Sequence, residues 1–238
     1  MMKTAQLLPA AIISKVTKGK DYAKLHNLTY LQADQLREVA INARDIAEAI
    51  SAEIPTARAE NTQFHIFRPN ISGEEHYAME IGKIDRNQPT LVRIHSACFT
   101  GDVLGSLKCD CGPQLHAATK MINDQGGGLL IYLNQEGRGI GLTNKIRAYA
   151  LQDQGFDTVE ANHRLGFEDD ERDFQLGATI LREMRISNIK LITNNPSKIA
   201  TMSKYHIIVT ERIPLNVGQN ETNFRYLQTK VSKSGHLM

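Results

Sequence analysis

The chain has 238 residues, of which 41% are hydrophobic and 23% are charged, a composition typical of a globular protein with a large core. A formal net charge of +2 is nearly balanced, so overall charge gives no reason to expect a nucleic acid or a membrane as partner. No apolar run is long enough to cross a bilayer, and the N-terminal residues lack the long apolar segment and cleavage site of a signal peptide. These features predict a protein of the reducing cytoplasm.

Residues 1–60 differ in pattern from the rest of the chain. From Asp34 to Ser51, apolar side chains recur with the 3.6-residue period of an amphipathic helix, and Pro55 follows soon after. We therefore expect a helical N-terminal extension over residues 1–60, without chemistry of its own. It would pack on the main domain, residues 61–238, or on a second subunit.

Short strands begin near Gln63. The alternating segments 63–67 and 77–81 predict a β-hairpin with a long loop, and 90–94 predicts a third strand. Strands predicted at 129–133, 189–192 and 207–209 then alternate with helices that start near Pro113, Leu142, Asp173 and Pro196. Strands separated by such helices imply parallel crossovers. The predicted fold is mixed α/β: a helical extension and a small β-rich portion leading into a Rossmann-like β-α-β core.

All three cysteines lie in one stretch, with the spacing C-x10-C-x-C formed by Cys98, Cys109 and Cys111. Thiolates suit zinc, which usually takes four tetrahedral ligands. Because the chain has no fourth cysteine, we interpret the cluster as an open site with water in the fourth position. Zinc lowers the pKa of such a water far enough to give hydroxide near neutral pH.

Two other interpretations of the cysteines stay open at this stage. They could be ordinary buried side chains, or His95 or His116 could close the shell of a structural site. A disulfide framework is disfavoured, because the cysteine count is odd and Cys109 and Cys111 are too close for easy pairing.

Polar turns follow the predicted strands, where ligands of parallel sheets collect. After Leu133, glycines surround Glu136 and Arg138, and after Ile192 the segment 193–198 opens a helix whose N–H groups favour phosphate. The glycine turn matches neither a P-loop nor a dinucleotide-binding motif. The residues alone therefore predict a zinc hydrolase that acts on a phosphorylated small molecule.

Several long motifs closely match one family. They are Arg93–Asp102, Leu107–Gly112, Gln135–Leu142, Asn144–Asp153, Asp170–Arg172 and Leu191–Pro196. Together they resemble GTP cyclohydrolase II, which catalyses the entry step of riboflavin biosynthesis. The resemblance runs from about Gln63 to the end of the chain and includes Gly235–Leu237. The resemblance implies a zinc-dependent hydrolase that opens the imidazole ring of GTP and releases formate and pyrophosphate. The product would be 2,5-diamino-6-(5-phosphoribosylamino)pyrimidin-4(3H)-one. A homodimer, one Zn²⁺ per subunit and Mg²⁺ with the triphosphate are also implied.

The resemblance also implies roles for individual residues. Tyr149 would assist hydrolysis of the formamide, Arg172 would attack the α-phosphorus, and Asp170 would accept a proton. Since a guanidinium keeps its proton in almost every protein, charge stabilisation is the alternative role for Arg172. The zinc ligands would be Cys98, Cys109 and Cys111, and the GTP-binding residues Arg93, Ile94, His95, Ser96, Gln114, Glu136, Gly137, Arg138, Thr158, Thr193 and Lys198.

One position departs from the family pattern. Ala97 stands where members usually carry Glu, which predicts a slower reaction, relaxed substrate choice or a divergent homologue unless Glu136 or Asp102 compensates. Two rival functions follow. A base deaminase is disfavoured because the H-x-E and P-C-x-x-C signature is missing. A GTP-binding protein without turnover, whose zinc only stabilises the fold, is the second rival.

Overall fold

The computed structural model describes residues 2–3, 7–35, 45–69, 74–233 and 235–237. These residues form a seven-stranded sheet with the strand order β1-β2-β3-β5-β4-β6-β7. The strands are β1 (Ile46–Glu53), β2 (Thr62–Pro69), β3 (His76–Gly82), β4 (Thr90–Ser96), β5 (Gly127–Leu133), β6 (Asn188–Ile192) and β7 (Ile208–Ile213).

The two halves of the sheet differ in strand direction. Strands β1, β2, β3 and β5 pair antiparallel in that order, which confirms the predicted hairpin of β2 and β3. Strand β4 pairs parallel with β5 and β6, and β6 pairs parallel with β7, as the strand–helix alternation predicted. The mixed α/β prediction is confirmed.

Helices connect the parallel strands, and one further helix precedes β1 and another follows β7. They are α1 (Gly19–Leu25), α2 (Phe99–Asp102), α3 (Cys111–Asp124), α4 (Gly141–Gln152), α5 (Thr158–Arg164), α6 (Gln175–Glu183), α7 (Pro196–Lys204) and α8 (Phe224–Ser232), with a 3₁₀ turn at Glu136–Gly139. Helix α7 begins as Pro196 predicted, and the Asn195 side chain accepts a hydrogen bond from the Ser197 N–H there. Helices α5 and α8 were not predicted. No helix within the described ranges is long and apolar enough to cross a bilayer.

Two apolar layers cover the two faces of the sheet. Successive side chains of a strand point to opposite faces, so Leu129, Ile131 and Leu133 of β5 join one layer and Leu130 joins the other. Helix α6 packs on the first face through Ile180 and Leu181, and helix α3 on the second through Ala118 and Ile122. Burial on both faces explains why β5 reads as a continuous apolar run.

The helix predicted for Asp34–Ser51 is wrong over residues 46–51. Residues Ile46–Glu53 form β1, which pairs antiparallel with β2 from Ile46 opposite Pro69 to Glu53 opposite Gln63. Only Ile46 of this strand is buried. The strand therefore forms because its backbone pairs with β2, and the hydrophobic periodicity of the sequence does not encode that pairing. The predicted helical positions 36–44 lie outside the described residues. The division at residue 60 stays a prediction, although β1 joins the sheet of the main domain.

Candidate functional site

A cleft opens at the carboxyl ends of the parallel strands β4, β5 and β6. It contains about 1020 Å³ of space free of protein atoms, part of it open to solvent. Segments that directly follow the three strands line it: 96–98 after β4, 136–138 after β5 and 193–195 after β6. These are the turns in which the sequence placed the chemistry.

The three cysteines meet at one end of this cleft. Their sulfurs lie within 4.8 Å of one another, and the Cys98 and Cys109 Sγ atoms are 3.7 Å apart. Tetrahedral zinc with Zn–S bonds of about 2.3 Å separates its sulfur ligands by roughly 3.8 Å. Cys98 lies two residues after the end of β4 and is the N-cap residue of α2, and Cys111 is the first residue of α3. The spacing and chemistry of the sulfurs therefore fit a divalent metal ion.

Two glycines allow the cysteine loop to close. A Cβ atom on Gly101 would lie 2.8 Å from Cys109 Sγ and 3.1 Å from Cys98 Sγ. A Cβ atom on Gly112 would lie 2.3 Å from the Gly101 carbonyl oxygen. Helix α2 therefore backs the three sulfurs with bare backbone, and a side chain at either glycine would force them apart.

The two histidines considered as a fourth ligand are placed elsewhere. His95 Nε2 lies 3.1 Å from both Asp102 carboxylate oxygens. That carboxylate also accepts hydrogen bonds from the Cys98 N–H and the Tyr132 hydroxyl. His116 lines a separate cavity beside Tyr132. Of the His, Cys, Asp and Glu residues that the structure describes, only the three cysteines form this cluster.

A buried lysine contacts the cysteine cluster. Lys145 Nζ donates to Cys98 Sγ at 3.1 Å, to Thr100 Oγ1 at 2.9 Å and to Glu136 Oε1 at 2.9 Å. Burial lowers the pKa of Lys145, but the Cys98 charge and the Glu136 hydrogen bond outweigh it and raise that pKa. Hydrogen bonds from Cys109 and Cys111, and then the Lys145 charge, hold the pKa of Cys98 far below its usual range.

The sequence does not reveal Lys145 because the apolar residues that mark helix α4 do not form its buried face. Leu142 and Ile146 are 37% and 48% exposed. The polar residues Asn144 and Lys145 are buried instead. The helix turns its polar face toward the cleft, and an apolar stripe cannot reveal that arrangement.

The cleft is also lined by positively charged side chains. We call the part formed by Arg93, Arg138, Arg172 and Lys198 the cationic end. Lys198 Nζ donates to the Ile94 carbonyl at 2.7 Å. Burial, and then the charges of Arg93 and Arg172, lower the pKa of Lys198 well below its usual value. Such a concentration of buried cations suits a polyanionic ligand.

The C-terminal helix α8 completes the cleft, and this helix was not predicted from the sequence. Tyr226, Lys230 and His236 line it. Lys230 Nζ donates at 2.6 Å to Asp110, which lies between two of the cysteines. Burial and the neighbouring cations, Lys230 first, lower the pKa of His236 to about 3. The only sequence signal for this region is the Gly235–Leu237 segment included in the family resemblance.

Comparison with known proteins decides the family. The GTP cyclohydrolase II family profile matches residues 47–214. The chain belongs to the GTP cyclohydrolase II family. It is 43% identical to GTP cyclohydrolase-2 of Azospirillum brasilense, over 100% of this chain and 63% of that protein. It is 45% identical to riboflavin biosynthesis protein RibBA of Bacillus subtilis, over 95% of this chain and 57% of that protein.

A third relative aligns with a shorter part of this chain. RibBA of Bacillus mycoides is 56% identical over 71% of this chain and 43% of that protein. The chain thus spans between 43% and 63% of the length of these curated relatives. Among solved structures, RibBX, a two-domain 3,4-dihydroxy-2-butanone 4-phosphate synthase from A. baumannii, aligns with a TM-score of 0.41 and 17% identity. That alignment covers 81% of this chain and 48% of that one.

Most residues that the GTP cyclohydrolase II motifs marked lie in the cleft. Two do not line it. The Ile94 side chain is fully buried, and a Cβ atom on Gly177 of α6 would lie 3.1 Å from its Cδ1 atom. Asp170 pairs with Arg172 through contacts of 2.7 and 2.6 Å. The residues that line the cleft are Arg93, His95, Ser96, Cys98, Cys109, Cys111, Gln114, Glu136, Gly137, Arg138, Tyr149, Thr158, Arg172, Thr193 and Lys198.

Ala97, the departure from the GTP cyclohydrolase II pattern, also lines the cleft. Both carboxylates considered as replacements are already engaged. Glu136 accepts hydrogen bonds from Lys145 and from the Phe99 and Gly137 N–H groups. Asp102 accepts the hydrogen bonds from Cys98 and Tyr132 described above. Neither carboxylate can replace the usual Glu without giving up these bonds.

Proposed function

We propose that the protein is a GTP cyclohydrolase II that opens the imidazole ring of GTP. It releases formate and pyrophosphate and yields 2,5-diamino-6-(5-phosphoribosylamino)pyrimidin-4(3H)-one. The observation that carries this proposal is one cleft with three clustered thiols at one end and buried cations at the other. The first end suits hydrolysis at the base, and the second suits the triphosphate. Family membership supports the same reaction.

In this proposal Cys98, Cys109 and Cys111 hold one Zn²⁺ per subunit. When bound, the metal would act as a Lewis acid that lowers the pKa of a water molecule, the chemistry that hydrolysis at C8 of the guanine ring requires. The chain's own residues hold this end rigid: Asp102 fixes the Cys98 backbone, and Asp110 is fixed by Lys230. Tyr149 lines the cleft, with Lys145 Nζ 5.8 Å from its ring centroid. We assign its hydroxyl to the hydrolysis of the formamide.

At the cationic end we assign charge stabilisation rather than nucleophilic attack to Arg172. Burial lowers the pKa of Arg172, but the hydrogen bond to Asp170 outweighs it and raises that pKa. An arginine that holds its proton this firmly is a poor nucleophile and a good partner for phosphate oxygens. The Phe174 ring lies under both Arg172 and Lys198, with centroid distances of 4.8 and 5.0 Å. Mg²⁺ would bind mainly through the triphosphate.

The remaining GTP contacts are assigned to groups that line the cleft. Ile94 would take part only through its backbone, because its side chain lies in the core. The unpaired thiols also favour the cytoplasm as the compartment. We further propose a homodimer, which sedimentation of the purified protein would test.

A product assay tests the proposed reaction. Purified protein with GTP, Mg²⁺ and Zn²⁺ should release formate and pyrophosphate together with the pyrimidine product. Ammonia in place of formate would instead identify a deaminase. Tight GTP binding without any product would identify a binding protein whose metal only stabilises the fold.

The second candidate is a catalytically weakened homologue, and Ala97 favours it. The cleft has no carboxylate at this position, and both neighbouring carboxylates are engaged. The Ala97→Glu variant separates the two candidates. If it raises formate release strongly above that of the natural chain, the natural chain is the weakened form. If both chains release formate at similar rates, the family's usual Glu is dispensable here.

A further inference from the structure

Lys145 uses all of its hydrogen-bonding capacity on the cysteine end of the cleft. An ammonium group has three donors, and the three acceptors are Cys98 Sγ, Thr100 Oγ1 and Glu136 Oε1. Its side chain is only 11% exposed. Two of these acceptors lie at the start of helix α2, whose N-cap residue is Cys98, and the third lies in the 3₁₀ turn. Lys145 therefore joins both segments to α4.

We propose that Lys145 is a positioning residue that strengthens divalent metal binding by the three cysteines. The inference rests on the metal centre of the proposed function. Lys145 would hold Cys98 in the geometry that the metal requires and would offset part of the site's negative charge. Groups hydrogen bonded to a metal ligand typically contribute 10–100-fold to metal affinity or activity.

A charge count supports this role. Three thiolates and the Glu136 carboxylate carry four negative charges, of which a divalent cation offsets two and Lys145 a third. Without Lys145, one more of these negative charges would lack its hydrogen-bonded cation in a largely buried site. Leaving buried charge unpaired is strongly unfavourable. The loaded centre should therefore be less stable when this ammonium group is removed.

Lys230 provides a matched control. As whole residues, Lys145 and Lys230 are each 9% exposed, and each side chain is paired with a carboxylate. Lys230 donates to Asp110, between Cys109 and Cys111 in sequence, whereas Lys145 donates to a sulfur directly. Comparing variants of the two lysines therefore distinguishes direct stabilisation of a metal ligand from general anchoring of the cysteine loop.

The test compares Lys145→Met with Lys230→Met in the full chain. Zn²⁺ affinity is measured by competition with a chromophoric chelator, and Co²⁺ loading reports the ligand sulfurs through the thiolate-to-cobalt absorption. Lys145→Met should weaken Zn²⁺ binding by about 10–100-fold and shift the Co²⁺ band. Lys230→Met should weaken Zn²⁺ much less and leave the band in place. Circular dichroism checks folding, and Lys145→Gln, which keeps one N–H donor group, replaces the Met variant if that variant does not fold.

The outcomes distinguish this inference from the proposed function. If the natural chain binds no divalent metal, the proposed metal centre itself fails. If the natural chain binds Zn²⁺ and the Lys145 variant binds it equally well, only the role of Lys145 is overturned. An equal loss in both lysine variants would also overturn it, because the effect would then come from loop anchoring.

Discussion

The two ends of the cleft differ in the sign of the charge that dominates each. At the cysteine end, acidic groups and sulfurs dominate, and two buried lysines contact them. At the cationic end, burial and then the charges of Arg93 and Arg172 lower the pKa of Lys198, and Asp170 is paired with Arg172. The first end is therefore ready for a cation and the second for an anion. One ligand that carries both a reactive base and a polyphosphate would satisfy both.

The comparison also shows how each end is held in place. The cysteine end is fixed by hydrogen bonds from α3, α4 and α8 and by the close packing of two glycines. The cationic end relies on aromatic rings: Phe174 lies beneath Arg172 and Lys198, and the Tyr226 ring centroid lies 6.0 Å from Arg138. Aromatic faces attract cations without neutralising them. Positive charge is thus retained for the ligand.

Removing one thiol should give the largest effect. Cys111→Ser leaves two sulfur ligands, so we expect loss of bound Zn²⁺ and a fall in formate release of more than about 100-fold, since outer partners alone reach that value. Metal content of the purified variant and formate release measure the two effects. A variant that keeps both full metal content and formate release would contradict the cysteine end as the metal centre.

The Arg172 side chain tests the cationic end. If Arg172 stabilises developing charge, Arg172→Met should slow pyrophosphate release by about 100–1000-fold, the usual effect of losing one such group. Arg172→Lys should recover part of the rate because it restores positive charge. Steady-state pyrophosphate release at saturating GTP checks both variants. Equal inactivity of the Lys and Met variants, with GTP binding intact, would favour attack by the guanidinium over charge stabilisation.

Lys198→Met should have opposite effects on affinity and on stability. The pKa of Lys198 is lower in the folded protein than its unfolded value of 10.5, so protonation of Lys198 favours the unfolded chain and lowers the stability of the ligand-free protein. This loss of stability disappears as pH rises toward 10.5. Its removal should therefore stabilise the ligand-free protein by about 0.5–2 kcal/mol, as is common at functional sites. GTP affinity should fall, because a phosphate partner is lost. Chemical unfolding and GTP titration measure the two quantities, and a variant that loses both would contradict this balance.

The sequence predicted much of the sheet and the cleft, for identifiable physical reasons. The two-residue alternation of β2 and β3 and the apolar run of β5 each reflect burial of a defined face, so their strands could be predicted. Strand β1 could not, because one buried residue, Ile46, leaves a pattern that a helix fits equally well. Its structure depends on pairing with a distant strand.

The candidate site shows the same limit. Cys98, Cys109 and Cys111 could be recognised because their chemistry is rare and their spacing is short. Lys145 and Lys230 could not, since a charged residue on a helix is normally solvated, and only tertiary packing buries these two. Tyr226, Lys230 and His236 lie far along the chain from the turns that follow the strands, and apart from the Gly235–Leu237 segment of the family resemblance no local pattern marks them.

A pH measurement gives the finest test of the difference between the two ends. His236, at the cationic end, has its pKa lowered from 6.5 to about 3. His76 has its pKa lowered by burial to about 4, but it lies on β3 and its Nδ1 accepts the Asn134 N–H at 3.1 Å. Both histidines are neutral in the folded protein, so stability should fall as pH drops below 6.5, where the unfolded chain takes up protons first.

Inorganic triphosphate should relieve only the contribution of His236, because its anionic oxygens favour the protonated imidazole. We therefore expect triphosphate to bind more tightly as pH falls from neutral, with proton uptake that calorimetry detects in buffers of different ionisation enthalpy. His236→Gln should reduce the proton uptake and leave only the part that comes from Lys198, whose pKa is also lowered. His76→Gln should leave the uptake intact and reduce only the acid sensitivity of unfolding. Proton uptake that is unchanged in His236→Gln would contradict the role of this imidazole.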